Sequence, residues 1–380
     1  MTGRAGVSDP TARVRRSWAK AEIGDTRRHN RALLLDTLFH DGAMSRAELA
    51  RRTALTAPTV SAVISDLQAE YLVVDVGEAV PARRGKPGSL VKVNDSDAVV
   101  VVGDLSDSSG VVAGITTLSG KLLNSGRLPL APGREQTPVE DVLAFVEQVA
   151  READDTYHVV GVALAVPGVI DADGTVVRAS HLGWADVPLA ALLSERLDRQ
   201  VHVGNDVNAA TIAARQLHGI EAHNLMLVYV EHGVGAGLVI GDQLLEGETF
   251  AAGEIGHLSV DPDGPECTCG RRGCLQAYLD PHNLRPRVEA RGDDALAEAG
   301  AALGLALSGV ISALNLTQVV VAGSADLVGS DAFLDAATST VLERTLAGIN
   351  AEPQISALAD TDELILQGAL CLILADLGIR

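Results

Sequence analysis

The chain has 380 residues, 47 % of them hydrophobic, which is enough for two or three domains with real cores and excludes a disordered protein. Its formal net charge of −20 is unevenly spread: residues 1–92 hold 15 basic and 10 acidic residues, and the rest of the chain holds 15 and 40. A basic head on an acidic body points to double-stranded DNA contacted by the first segment alone, and an aromatic content of 3 % argues against stacking on unpaired bases.

Residues 1–24, opening MTGRAGVSDPTARVRRSW, read as a flexible arm without the apolar block of a signal peptide. No apolar stretch approaches the roughly 20 residues of a membrane span, so a cytoplasmic protein with no membrane partner is expected. Over 25–94 three helices and two strands are predicted. The first helix, about 28–40, aligns Leu34, Leu35 and Leu38 and stops at Asp41-Gly42. The second opens on Ser45-Arg46-Ala47-Glu48, a capping box whose Ser and Glu side chains satisfy orphan amides reciprocally, and ends near Thr53. The third begins near Thr56, tolerates Pro58 in its first turn, and places Val60, Val63, Ile64 and Leu67 on one buried stripe. Its opposite face presents Thr59, Ser61, Ala62 and Ser65, small and polar enough to approach base edges. Two short helices joined by a tight turn form a helix-turn-helix, with Thr56 and Arg46 as further DNA contacts; a small helical dimerisation bundle is the alternative. Strands over 72–76 and 89–93, joined by GEAVPARRGKPG, resemble a wing. Arg83, Arg84, Gly85 and Lys86 at its tip suit a minor groove, a solvated basic turn being the plainer reading.

From residue 97 apolar strands alternate with helices, as in AVVVVGDL, GVVAGITTL, HVVGVALAVPG and LMLVYVEHGVGAGLVIG, a pattern of α/β layers. Helices are predicted near 137–152, 207–217 and 295–316, the last followed by a strand at QVVVAGSA, and a final amphipathic helix near 361–377. The stretch VYVEHGVGAGLVIGDQLLEGETFAAGEIGHLSVDPDGPECTCGRRGCLQAY strongly resembles the signature region of the ROK family of repressors, open reading frames and sugar kinases. VPGVIDADG, HLGWADVPL and VGNDVNAA resemble its other blocks in the expected order. With the winged helix included, the similarity covers nearly the whole chain and matches the family's transcriptional regulators.

His257, Cys267, Cys269 and Cys274 follow the spacing H-x9-C-x-C-x4-C, and three thiolates with one imidazole form a closed tetrahedral set for a structural Zn2+. Cys-x-Cys is a poor redox pair, and four cysteines are too few for a disulfide scaffold. Cys371, among Leu370, Leu372 and Ile373, reads as a buried core thiol.

The resemblance implies an α/β fold: the winged helix-turn-helix followed by a two-lobed actin-like (ribonuclease H-like) body. Lobe 1 would run over 97–215, with the C-terminal helix 361–380 returning to it, and lobe 2 over 216–360 with the zinc loop. A sugar would sit in the cleft with ATP beside it. The family's sugar pocket falls on Asn205, Asp206, Glu254 and His257, joined by Gln276 and Gly183, His257 giving one ring nitrogen to zinc and the other to a hydroxyl. Ordinary loop polarity is the alternative. In the kinases Asp206 would be the general base. Where they carry Asp-x-Gly-Gly-Thr, however, this chain has Asp104-Leu105-Ser106-Asp107-Ser108, with both glycines gone and an added carboxylate. His232 replaces the threonine before GVGAG, Ala322-Gly323 replaces a Gly-Gly, and Gln276 replaces a glutamate. The expectation is therefore a sugar-responsive transcriptional regulator, a repressor of carbohydrate uptake or catabolism genes. It would bind a DNA operator and a monosaccharide effector as a homodimer or homotetramer, without being an enzyme. The alternatives are a sugar kinase with a DNA-binding head, or a regulator governed by a protein partner with a vestigial sugar site.

Overall fold

The computed structural model describes residues 23–78, 89–131, 136–346, 352–358 and 361–380. In the head, α1 (Ile23–Asp41), α2 (Arg46–Thr53) and α3 (Ala57–Ala69) pack on a sheet of β1 (Met44–Ser45), β2 (Val73–Glu78) and β3 (Ser89–Val93), ordered β1-β3-β2 and antiparallel throughout. Leu34, Leu35, Leu38, Leu49, Val60, Ile64 and Leu67 are fully or nearly fully buried, so the stripes of all three helices meet in one core. Only the Ser45 half of the capping box forms among the described hydrogen bonds. Ser45 Oγ accepts from Glu48 N at 3.2 Å, while the Glu48 carboxylate turns to Arg52 at 3.2 Å and to Arg51. The turn into α3 passes through Ala54 at φ 57°, and Thr56 caps the helix by accepting from Thr59 N. Of the arm expected over residues 1–24, residues 1–22 lie outside the described ones, and Ile23 and Gly24 already belong to α1. The wing tip with Arg83, Arg84, Gly85 and Lys86 also lies outside them.

The body holds two five-stranded sheets. The first comprises β4 (Ala98–Asp104), β5 (Gly110–Thr117), β6 (Leu122–Pro129), β7 (His158–Val166) and, beyond a small sheet of β8 (Val169–Ile170), β9 (Val176–Ala179) and β10 (Trp184–Val187), β11 (Val201–Asn205). Its order is β11-β7-β4-β5-β6, parallel across β4, β7 and β11 and antiparallel elsewhere. Strand β4 is an unbroken apolar run because both of its faces are covered. Val99 and Val101 join the core with α4 (Val139–Asp154), and Val100 and Val102 join the core on the opposite face. Helix α5 (Leu189–Leu197) precedes β11, and α6 (Asp206–Gln216) follows it without a break.

The second sheet takes β12 (Leu225–Val230), β13 (Val234–Ile240), β14 (Gln243–Leu244), β15 (Gln318–Gly323) and β16 (Gln354–Ala357) in the order β14-β13-β12-β15-β16. Helices α7 (Leu275–Leu279), α8 (Pro281–Arg291), α9 (Asp293–Leu314), α10 (Ala325–Val328) and α11 (Asp331–Arg344) complete this half. The expectation that no stretch rivals a membrane span needs correcting, since α9 has 22 residues and passes by length and apolarity. Its setting is that of a core helix. Leu296, Ala299, Leu303, Leu307 and Ile311 are buried, and Gly300 and Gly304 let the backbone of α11 approach so closely that a Cβ at either would collide with it.

The last helix, α12 (Leu364–Leu377), is not amphipathic as the sequence suggests but buried on nearly all sides. It packs along α6, where a side chain at Gly368 would strike the backbone of Ala209, and beneath β4 and β7. Cys371 lies inside it, fully buried, its thiol pushed up to about 12 by burial alone. Beyond α12 the chain turns at Gly378 (φ 87°), where a Cβ would collide with Ala32 of α1, and buries Ile379 completely. Arg380 N then donates to Asp36 Oδ1 at 3.0 Å, and His40 Nε2 donates to the Arg380 carbonyl at 3.0 Å. One hydrophobic cluster consequently runs from the head core through α12 and α6 into the inner strands of the second sheet. Ile379→Ala should cost about 2–5 kcal/mol, the range for an emptied aliphatic core site. It should speed hydrogen exchange in α1 while leaving α9 unchanged; unaltered α1 exchange would show that the clasp does not hold the head.

Candidate functional site

A cleft of about 700 Å³ opens between the two sheets. Asn205 and Asp206 reach it from the β11–α6 junction, Glu254 and His257 from the segment after β14, and Gln276 from α7. Five of the six proposed sugar residues therefore line one cavity. Gly183 does not: it serves the turn before β10 at φ 69°, its N–H donating to Ser180 O, while its neighbours Ser180 and His181 do face the cleft.

Each wall has a local cause. Asn205 caps α6, its Oδ1 accepting from Asn208 N at 2.9 Å, and its Nδ2 donates to Gly168 O at 3.0 Å. Asp206 begins the helix with its Oδ1 accepting from Val207 N at 2.8 Å. Burial, with Asp104 and Glu254 nearby adding to it, lifts the Asp206 carboxyl from 3.8 to about 7. Burial raises Asp104 as well. Glu254 precedes a 3-10 turn, Ile255–His257, that brings His257 to the cavity edge.

The loop 105–109 between β4 and β5 forms the adjoining rim through Ser106 and Ser108. Asp104 Oδ1 accepts from Ser106 N at 2.8 Å, and Asp107 Oδ1 accepts from Ser109 N at 2.7 Å. Burial opposes ionisation of Asp107, but Arg127 and the Ser109 amide and hydroxyl outweigh it and hold the carboxyl low. The sequence places a bare negative charge here; the structure pairs that charge with Arg127, and His232 in the turn between β12 and β13 stands 3.9 Å away. Ser324, next to Ala322-Gly323, donates to Glu231 at 2.7 Å and accepts from Arg285 at 3.3 Å.

Beside the cleft His257, Cys267, Cys269 and Cys274 converge, their donor atoms all within 4.8 Å of one another. Cys269 Sγ and Cys274 Sγ are 3.6 Å apart, and His257 Nδ1 lies 3.8 Å from Cys267 Sγ. The edge of a tetrahedron with metal–sulfur bonds of about 2.3 Å is about 3.8 Å, so the set fits a metal ion of that preference. Gly273 (φ 66°) is obligatory, since a Cβ there would collide with Asp261 O, and Gly270 (φ 84°) makes the other turn. With Nδ1 on the sulfur side, Nε2 is the ring nitrogen left for the cleft.

On the head, Ser61, Ala62 and Ser65 are exposed along α3, whereas the Thr59 hydroxyl is 2.8 Å from that of Thr56. Arg46 is drawn inward to Gln68 at 3.2 Å and Asp75 at 3.4 Å, so it does not stand free for a phosphate. Sequence reasoning missed Arg178, His181, Tyr229 and Asp280 in the cleft lining. His181 and Tyr229 fall within the quoted stretches HLGWADVPL and VYVEHGVGAG, the one signal that could have found them, whereas Arg178 and Asp280 reach the cavity through the packing of distant segments.

Residues 108–376 match the ROK family profile. A putative xylose repressor of Caldicellulosiruptor sp. is 24 % identical over 385 residues, spanning 92 % of this chain and 96 % of that one. A glucokinase of Thermotoga maritima is 33 % identical but spans 46 % of this chain and 58 % of its own. Among solved structures, a ROK-family transcriptional regulator described as a homologue of the Escherichia coli Mlc protein superposes with a TM-score of 0.78 at 20 % identity, covering 93 % of this chain and 98 % of that one.

Because the folded chain holds a proton on Asp206 where the unfolded chain has lost it, stability should fall as pH rises from about 4 through about 7. The neutral isostere Asp206→Asn should therefore raise the melting temperature by several degrees at pH 8 and leave it unchanged near pH 4. The reverse order in a pH series of thermal melts would contradict the assigned ionisation.

Proposed function

The chain belongs to the ROK family, and we propose that it is a transcriptional repressor whose winged helix binds an operator and whose cleft takes a sugar effector without phosphorylating it. One observation carries this reading: a polyol wall of Asn205, Asp206, Glu254 and His257 adjoins a loop in which two amides, Ser106 N and Ser109 N, donate to neighbouring carboxylates. A phosphate cradle needs free backbone N–H groups, and here Ser106 N and Ser109 N are already donating to Asp104 and Asp107. Carboxylates and amides suit a sugar, since they accept from and donate to adjacent hydroxyls. The relative named a xylose repressor aligns along 92 % of the chain, so its likeness extends into the head.

The reading divides the chain at 25–94 for the DNA-binding head, 97–215 for lobe 1 with the helix of 361–380 added to it, and 216–360 for lobe 2. It calls for a homodimer or homotetramer acting in the cytoplasm, where the DNA is. Asn205 and Asp206 come from one lobe and Glu254 and His257 from the other, so one sugar engages all four by favouring the closed cleft. On α3 the exposed Ser61, Ala62 and Ser65 meet base edges in the major groove, with the basic wing tip at the neighbouring minor groove. Selection from randomised duplexes should return a pseudo-palindrome whose affinity falls steeply with salt. Arg84→Ala should weaken every sequence alike, whereas Ser61 substitutions should change base preference. Binding that survives deletion of residues 1–92 would overturn the assignment.

A second reading, a sugar kinase with a DNA-binding head, draws on Asp206, a buried carboxyl near neutrality of the kind that serves as a general base. Sugar-dependent ADP release that Asp206→Asn abolishes would establish it; no release from any sugar is expected.

The metal is proposed to be a structural Zn2+ held by His257, Cys267, Cys269 and Cys274. When bound it cross-links the loop that supports His257 and Gln276. Elemental analysis of protein purified without chelator should give one zinc per chain, and Cys269→Ser should lower both zinc content and sugar affinity. Absence of zinc from folded protein would contradict this.

A further inference from the structure

The cleft contains one cation that neither wall accounts for. Arg178 on β9 lines the cavity, is exposed, and makes no ion pair or side-chain hydrogen bond among the described residues. Its position is fixed through its backbone. β9 pairs with β8 at Val169↔Arg178 and with β10 at Ala185↔Arg178. Gly168, at φ 106°, lies so close to the Arg178 carbonyl that a Cβ would collide with it. The same Gly168 offers its own carbonyl to Asn205 Nδ2 at 3.0 Å, so Arg178 is tied to the Asn205 end of the cleft, where hydroxyls are read.

Two other features lower the cost of a negative ligand there. Gln276 gives the cavity an amide in place of a further carboxylate, and Asp206 is not fully ionised at neutral pH. A neutral sugar offers a guanidinium only uncharged hydroxyl acceptors, whereas a planar carboxylate accepts two parallel charge-assisted N–H bonds from it. Closing the cleft would strip water from that contact and strengthen it.

We infer that the effector is a sugar acid, a monosaccharide whose carboxylate is gripped by Arg178 while its hydroxyls are read by Asn205, Asp206 and Glu254. This rests on the cleft being a sugar site. Calorimetric titration of the full chain should compare D-glucuronate and D-galacturonate with glucose, galactose and glucose 6-phosphate. A uronate should bind at least about tenfold tighter than its neutral parent, and Arg178→Ala should erase that preference while leaving the neutral sugar within about twofold. Arg178→Lys, which keeps the charge and loses the fork, should restore only part of it. Arg178 is exposed, so both variants should melt with the wild type. Equal affinity for acid and parent, a preference unchanged in Arg178→Ala, or tighter binding of the phosphate would overturn the inference and leave the sugar site standing. No binding by any of the five would overturn the sugar site itself.

Discussion

Helix α12 has almost no free face, and the rest of the molecule is arranged around that constraint. Gly368 allows it to touch the α6 backbone, α6 begins with Asp206 in the cleft, and the residues after α12 are clamped against α1 by Ile379 and two hydrogen bonds. Close-packed interiors transmit displacement because they have few voids to absorb it. Any movement of α6 therefore has a direct route to the head. Tyr71 stacked on His158 at 4.5 Å adds a second contact between head and body.

The two ends of the cleft differ in how they handle their carboxylates. Asp104, Asp206 and Glu254 crowd one region, and the buried pair answers by holding protons more tightly. The rim loop solves its own charge problem locally, Asp107 leaning on Arg127 and on the Ser109 amide. Two amides of this loop, Ser106 N and Ser109 N, are thereby held by neighbouring carboxylates.

Much of this was legible in the sequence wherever the signal is local. The stripe Val60, Val63, Ile64 and Leu67 fixes the buried face of α3, the run of valines in β4 announces a strand covered on both faces, and the Cys and His spacing anticipates a cluster that the fold closes. What escaped depends on distant partners. The apolar α9 is long and apolar enough for a membrane span by its sequence alone, and its packing against α11 is what shows it to be a core helix. Arg46 looks like a free cation until Gln68 and Asp75 are beside it. Gly183 and His181 share one turn, yet only His181 lines the cleft. The pairing of Asp107 with Arg127 joins the β4–β5 loop to β6 and has no trace in either segment alone.

The central claim is that the cleft and the DNA-binding head share one equilibrium. A ligand that moves such an equilibrium from 1:99 to 99:1 must prefer one state by about 5.5 kcal/mol, and coupling obliges each ligand to change the other's affinity by the same factor. The direct measurement is the affinity of the cleft for its sugar with and without saturating operator. The account predicts a change equal to the one that sugar produces in operator affinity, reduced when Ile379 is truncated. Identical sugar affinities in the two titrations would contradict it.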